Sequence, residues 1–267
     1  MPVHGPSGLQ ANYVVAGDGA PIVMTHSFLA DRSMWREQRE PLLGQGWRLI
    51  EIDLPGHGEA PAVTRDFAIE ELADLVVSIL DAEDVPEAVW CGLSIGGMLS
   101  QRAALHHPDR VRALVLADTS ASPEPLSAKV KYRAMAWWNQ LFGLQLVAGQ
   151  VTPLMFGPST RAERPDLIDG FIDRTRAMDR PSIRRYVTAL TTRSDLTGAV
   201  SAIDTPTLVI VGEHDRALPE ARSRALAASI AGARYEVVPD AGHLSPLERP
   251  DLFNPPFLEF LEPLVRG

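Results

Sequence analysis

From residue 9 to 118 the chain alternates short apolar, β-branched runs with segments of helical periodicity, and this order leaves few folds open. Strand signals over 9–15 and 22–25 flank a Gly17-Asp18-Gly19 turn. A helix is expected over 33–43, closed by Gly44 and Gly46, then a strand over 47–52 ending at Asp53-Leu54-Pro55-Gly56-His57-Gly58. Ile69, Leu72, Ala73, Val76, Val77 and Leu80 recur at helical spacing. A strand over 89–92, a helix over 97–106 and a strand over 111–117 follow. Strand–helix–strand repeats with short connections build a mainly parallel sheet with helices on its faces.

After Asp118 the rhythm stops. Up to about residue 200 the expected elements are helices, over 126–142, 144–155 and 165–192. The alternation then resumes with a strand over 206–211, a helix over 219–231 and a strand over 235–238. A last helix over 246–264 is expected to break at Pro255-Pro256. The implied organisation is one α/β core, residues 1–119 and 201–267, around a mainly parallel sheet. The helical stretch 120–200 is an insertion into it, placed to roof the strand ends as a cap.

Composition removes several classes of function. A net charge of −9 on 267 residues argues against nucleic acid or an anionic membrane surface as partner. No run approaches the roughly 18 apolar residues of a spanning helix. The first residues lack a basic segment followed by an apolar core, and Cys91 is the single cysteine, which excludes an internal disulfide. A cytoplasmic location is the expectation. No G-x-G-x-x-G follows the first strand, and no His-x-x-x-His or paired-cysteine spacing occurs, so neither cofactor nor metal is expected.

Chemistry concentrates at Gly92-Leu93-Ser94-Ile95-Gly96-Gly97, between a strand signal and a helix signal. Glycines two residues either side of a serine permit a sharp strand-to-helix turn that lifts the hydroxyl clear of the backbone. The helix that follows aims its amino end at the same point, where developing negative charge is favoured. The competing reading is an ordinary glycine-rich turn with a capping serine.

With Ser33-Met34-Trp35, His107-Pro108-Asp109-Arg110-Val111 and Leu116-Ala117-Asp118-Thr119 added, the chain resembles the α/β-hydrolase fold over nearly its whole length, which implies an eight-stranded, mainly parallel sheet flanked by helices. Within it, the likeness is to the branch of 3-oxoadipate enol-lactonases and small-molecule esterases. The resemblance implies a nucleophile, an acid and a histidine in that chain order, matched by Ser94, Asp215 and His243. Asp118, at the preceding strand end, and Glu213 are the rivals for the acid. His57 and His106-His107 read as loop and helix-end residues. The oxyanion donors implied are the amide of Ile95 and that of Phe28, with Leu29 as the fallback, because His26-Ser27 stands where the family has His-Gly.

The function implied is hydrolysis of a small carboxylic ester or lactone through an acyl-enzyme. Carbon–carbon bond hydrolysis, cofactor-free perhydrolysis with haloperoxidase behaviour, and a slow-turnover small-molecule receptor are the alternatives. Met135, Trp137, Trp138, Phe142, Met155 and Phe156 are candidates for an apolar substrate wall. One of Arg174, Arg176, Arg180, Arg184, Arg185 and Arg193 is a candidate to meet a substrate carboxylate, against the plainer reading of a solvated helix face. Oligomeric state is left open, with a homodimer among the options.

Overall fold

The structure is a computed structural model that describes residues 2–143 and 148–265. Its strands are β1 (Val3–His4), β2 (Ala11–Ala16), β3 (Ala20–Thr25), β4 (Trp47–Asp53), β5 (Ala88–Leu93), β6 (Val111–Ala117), β7 (Thr207–Gly212) and β8 (Arg234–Val238). They form one eight-stranded sheet in the order β1-β2-β4-β3-β5-β6-β7-β8. Among the described residues, only the β1–β2 and β2–β4 pairs are antiparallel. The short β1 was not anticipated from the sequence.

The central strands are continuous apolar runs because both sheet faces are covered. Successive side chains point to opposite faces, and the core divides accordingly. Val23, Trp90, Leu114 and Leu116 join one buried cluster, with α2 (Ile69–Ala82) and α3 (Ile95–His106). Ile22, Met24, Val89, Cys91 and Val115 join the other, with α1 (Arg36–Gly44).

Between β6 and β7 lie α4 (Leu126–Phe142), α5 (Ala148–Met155), α6 (Pro158–Glu163), α7 (Pro165–Ala177) and α8 (Arg180–Thr192). The strand β6 and the helix α4 have the anticipated bounds. The helix expected over 144–155 is described from Ala148, its first four positions lying outside the described residues. The single helix expected over 165–192 is two helices. Met178 leaves helical geometry at ψ 145°, and the Asp179 carboxylate restarts the chain by accepting the Ser182 N–H at 2.8 Å.

The C-terminal elements are α9 (Glu220–Ser229), α10 (Ser245–Glu248) and α11 (Pro250–Leu261). The break expected at Pro255-Pro256 occurs instead at Arg249, held at φ −132° and ψ 63° ahead of Pro250. Helix α11 runs through its two internal prolines. Its stripe of Phe253, Phe257 and Leu261 is fully buried, and this burial offsets the missing backbone hydrogen bonds.

Parallel pairing aligns the carboxyl ends of the central strands. Thr25 pairs with Gly92, Ala117 with Ile210, and Gly212 with Val238. Loops leaving these ends therefore meet along one edge, the position where open α/β sheets carry ligands.

Candidate active site

Ser94 links β5 to α3 at φ 57° and ψ −112°, a left-handed conformation costly for a residue with a side chain. Surrounding bonds hold it there. Its N–H donates to the Ala117 carbonyl at 2.9 Å, and its carbonyl accepts from Met98 N–H at 2.9 Å and Thr119 Oγ1 at 2.8 Å. The flanking glycines are steric requirements. A Cβ on Gly92 would overlap the Gly96 carbonyl and lie 2.6 Å from the Gly97 nitrogen. One on Gly96 would lie 2.5 Å from the Thr25 carbonyl oxygen, and one on Gly97 2.6 Å from the Thr119 side chain. As the first residue of α3, Ile95 has an N–H without an intrahelical acceptor.

Beyond β7, Asp215 is fixed by a turn in which its N–H donates to the Gly212 carbonyl at 3.1 Å. Its Oδ1 accepts the N–H groups of Ala217 and Leu218, both at 2.9 Å, and its Oδ2 lies 2.8 Å from His243 Nδ1. The imidazole therefore carries its proton on Nδ1, which leaves Nε2 as the basic nitrogen. Burial opposes a charge on His243, but the carboxylates of Asp215, Asp118 and Glu248 outweigh it and raise its pKa.

The histidine loop follows β8 and is pinned from two sides. The N–H groups of His243 and Leu244 donate to the Met155 carbonyl at 3.1 and 3.3 Å. The buried Glu248 accepts from Gly242 and Leu244 with Oε1, at 2.9 and 3.2 Å, and from Gly157 with Oε2 at 2.8 Å. The sequence reading missed Glu248. Its one signal was an acidic residue inside an otherwise apolar stretch shortly after the histidine.

Asp118 is buried beside this pair, and the ligand atoms of Asp118, Asp215 and His243 all lie within 4.8 Å of one another. Its oxygens go elsewhere: Oδ1 accepts the Gly212 N–H at 2.8 Å and Oδ2 the Ser245 hydroxyl at 2.5 Å. Burial, and then the charge of Asp215, hold its pKa well above the usual carboxylate range. All four carboxylate oxygens of the cluster are thus engaged within the protein. Glu213 is exposed and accepts the Asp240 N–H at 3.0 Å, away from the imidazole.

The loop after β3 is shaped by two buried histidines. His26 pairs Nδ1 with the Ser27 carbonyl at 2.7 Å and accepts the Leu54 N–H on Nε2 at 2.9 Å. His57 pairs Nδ1 with the Pro55 carbonyl at 3.1 Å and accepts the Leu29 N–H on Nε2 at 3.4 Å. Burial lowers the pKa of both rings, in keeping with these neutral tautomers. The Leu29 amide, the fallback donor, is engaged by His57. The Phe28 ring is stacked on Tyr186 of α8, with centroids 5.6 Å apart.

Ser94, His243, Ser27, Phe28 and Leu29 open onto one cavity of about 150 Å³. An apolar cavity of that size holds a molecule such as benzene. Met98, Met135, Val151, Leu154, Met155 and Ile183 are among its apolar wall residues, with Glu124, Tyr132 and Asn139 among its polar members. Of the anticipated wall residues, Met135 and Met155 line it. Phe156 lies behind it, buried edge-on against Phe171 at 5.4 Å. Trp137, Trp138 and Phe142 are 56%, 53% and 50% exposed, on the outward face of α4. That helix turns its buried residues Ala136 and Asn139 inward, and the adjacent tryptophans point to solvent.

The anticipated arginines are also placed elsewhere. Arg174 pairs with Asp31 at 3.6 Å, Arg176 with Asp173 at 3.3 Å, and Arg193 with Glu124. Arg185 donates to the Val63 carbonyl at 2.9 Å, Arg184 lies over the Trp137 ring, and Arg180 is exposed at the start of α8 and does not line the cavity. Among the described residues lining the cavity, none is lysine or arginine. Among the described residues, no helix is long and apolar enough to cross a membrane.

The family model of the α/β-hydrolase fold matches residues 20–250, and the chain belongs to that family. It is 26% identical over 247 residues to 3-oxoadipate enol-lactonase 2 of Acinetobacter baylyi, covering 91% of this chain and 90% of the relative. The enol-lactonase of Burkholderia xenovorans LB400 superposes with a TM-score of 0.90 at 30% identity, covering 97% of this chain and 99% of that one. A thermophilic esterase of Thermogutta terrifontis superposes with a TM-score of 0.90 at 29% identity, covering 96% and 94%.

Proposed function

We propose that the chain is a serine hydrolase that cleaves a small carboxylic ester or lactone through an acyl-enzyme. One observation carries the reading. The Asp215 carboxylate holds His243 by Nδ1 at 2.8 Å, and the ring so oriented shares a cavity with a serine held on a strained elbow.

In this mechanism Ser94 Oγ attacks the carbonyl carbon as its proton passes to His243 Nε2. The imidazolium formed is stabilised by Asp215. The tetrahedral oxyanion is received by the amides of Ile95 and Phe28, each donor contributing about 10²–10³ in rate. Collapse expels the alkoxide, which takes the proton from His243. Water then attacks the acyl-enzyme with His243 as base, and the acid leaves with Ser94 restored. In a lactone the alcohol and the acid are two ends of one product. The neighbours named as enol-lactonase and esterase support this bond type, and the apolar cavity suits a short acyl or ring portion. Residues 120–200 act as a cap that supplies this wall.

Ser94→Ala is expected to lower turnover of a p-nitrophenyl acyl ester by about 10⁶-fold if the three groups act as a unit. A fluorophosphonate is expected to label Ser94 alone, as read by peptide mass spectrometry. Turnover by the variant within tenfold of the parent refutes the assignment.

A further inference from the structure

We propose that this site selects uncharged substrates, with Glu124 in the cavity wall as the residue that excludes a second carboxylate. The inference rests on the ester or lactone hydrolase reading and narrows its substrate class.

Glu124 is 9% exposed and lines the same cavity as Ser94 and His243. The cations near it are placed behind the wall. Arg193 ion-pairs with Glu124 Oε2, donates to the Ser122 carbonyl at 2.5 Å and the Leu190 carbonyl at 3.1 Å, and its side chain is 1% exposed. Arg222 Nη1 lies 4.0 Å from Glu124 Oε1. Neither guanidinium is among the cavity-lining residues. The acids beside His243 are committed elsewhere, Asp215 to the imidazole and Asp118 to Gly212 and Ser245.

Tyr132 also lines the cavity. Burial, and then the neighbouring Glu124, raise its pKa, so it offers a neutral phenol to a substrate's polar group. A substrate carboxylate entering this space leaves water for methionine, leucine, isoleucine and valine side chains. Glu124 already neutralises Arg193, so the described wall offers that carboxylate no cation free to pair with it. Burial of an unpaired ion acts against it. An uncharged chain of equal length escapes that penalty, and a distal carbonyl or hydroxyl can be received by Tyr132.

The test uses three p-nitrophenyl esters matched in length: the hexanoate, the adipate half ester with its free carboxylate, and the methyl ester of that half ester. The expected kcat/KM for the methyl ester is within tenfold of the hexanoate, and that for the free acid is lower by at least about 10²-fold. In Glu124→Gln the charge of Arg193 is left unbalanced, and the free acid is expected to gain at least tenfold relative to the methyl ester. Leu154→Arg, which adds a cation to the wall without touching the ion pair, is expected to move the ratio the same way and covers the case in which E124Q does not fold. Hydrolysis of the free acid within tenfold of the methyl ester by the parent enzyme overturns the proposal, as does an unchanged ratio in a folded E124Q. Absence of Ser94-dependent turnover of all three esters is a different result: it removes the hydrolase reading, and this inference falls with it.

Discussion

Asp215→Asn tests the proposed mechanism through the tautomer of one ring. Asp215 Oδ1 accepts two backbone N–H groups, from Ala217 and Leu218, both at 2.9 Å. An asparagine must keep its carbonyl oxygen at that position, since an NH2 there would face two donors. The NH2 is then forced to the Oδ2 position, 2.8 Å from His243 Nδ1. Facing a donor, Nδ1 must become the acceptor, and the ring proton moves to Nε2. The nitrogen that should take the serine proton is then occupied. The expected loss in kcat is about 10⁴-fold, which is about 5.4 kcal/mol at about 1.36 kcal/mol per decade. The assay is steady-state hydrolysis of p-nitrophenyl hexanoate, with nitrogen NMR of the imidazole to read the tautomer and thermal melting to check the fold. Asp118→Asn serves as the control, because its carboxylate bonds Gly212 and Ser245 and makes no bond to the imidazole. A D215N enzyme within tenfold of the parent, or one in which Nδ1 still carries the proton, refutes the reasoning.

The pH profile follows from the raised pKa of His243. The base must be neutral, so the acid limb of kcat/KM is expected above the ordinary histidine value. Stability runs the other way: a raised folded pKa gives a contribution that is full below the unfolded value and lost as pH rises through the folded one. His243→Gln should therefore cost more by urea midpoint in acid than in alkali. Gly96→Ala places a methyl 2.5 Å from the Thr25 carbonyl oxygen, and a destabilisation of about 1–3 kcal/mol by urea denaturation is expected, with turnover falling as the elbow shifts. Trp138→Ala, at a residue 53% exposed, is expected to leave kcat/KM within about twofold, whereas Leu154→Trp fills the cavity and lowers it.

The elements around the serine were legible because their signals are local. An apolar run, a glycine-flanked serine and a helical segment specify a strand–turn–helix without reference to the rest of the chain. The helical insertion was less legible. Its amphipathic spacing shows that α4 has two faces but not which one meets a partner. Packing against α8 buried Asn139 and Ala136 and left the tryptophans outside. The break after Met178 and the continuity of α11 through two prolines depend on what each stretch packs against, which spacing cannot report.

The succession of strands and helices along the chain and the placing of Ser94 on a turn between glycines were determined by the sequence alone. They depend on backbone sterics and periodicity, which act over a few residues. Tertiary structure is what distinguishes Asp118 from Asp215. The two leave neighbouring strands, with Ala117 paired to Ile210, and differ in where their oxygens point. Whether a cation is free to meet the substrate was decided in the same way. Arg193 and Glu124 lie far apart in the chain, and only the packed molecule pairs them, with Glu124 among the wall residues and Arg193 not.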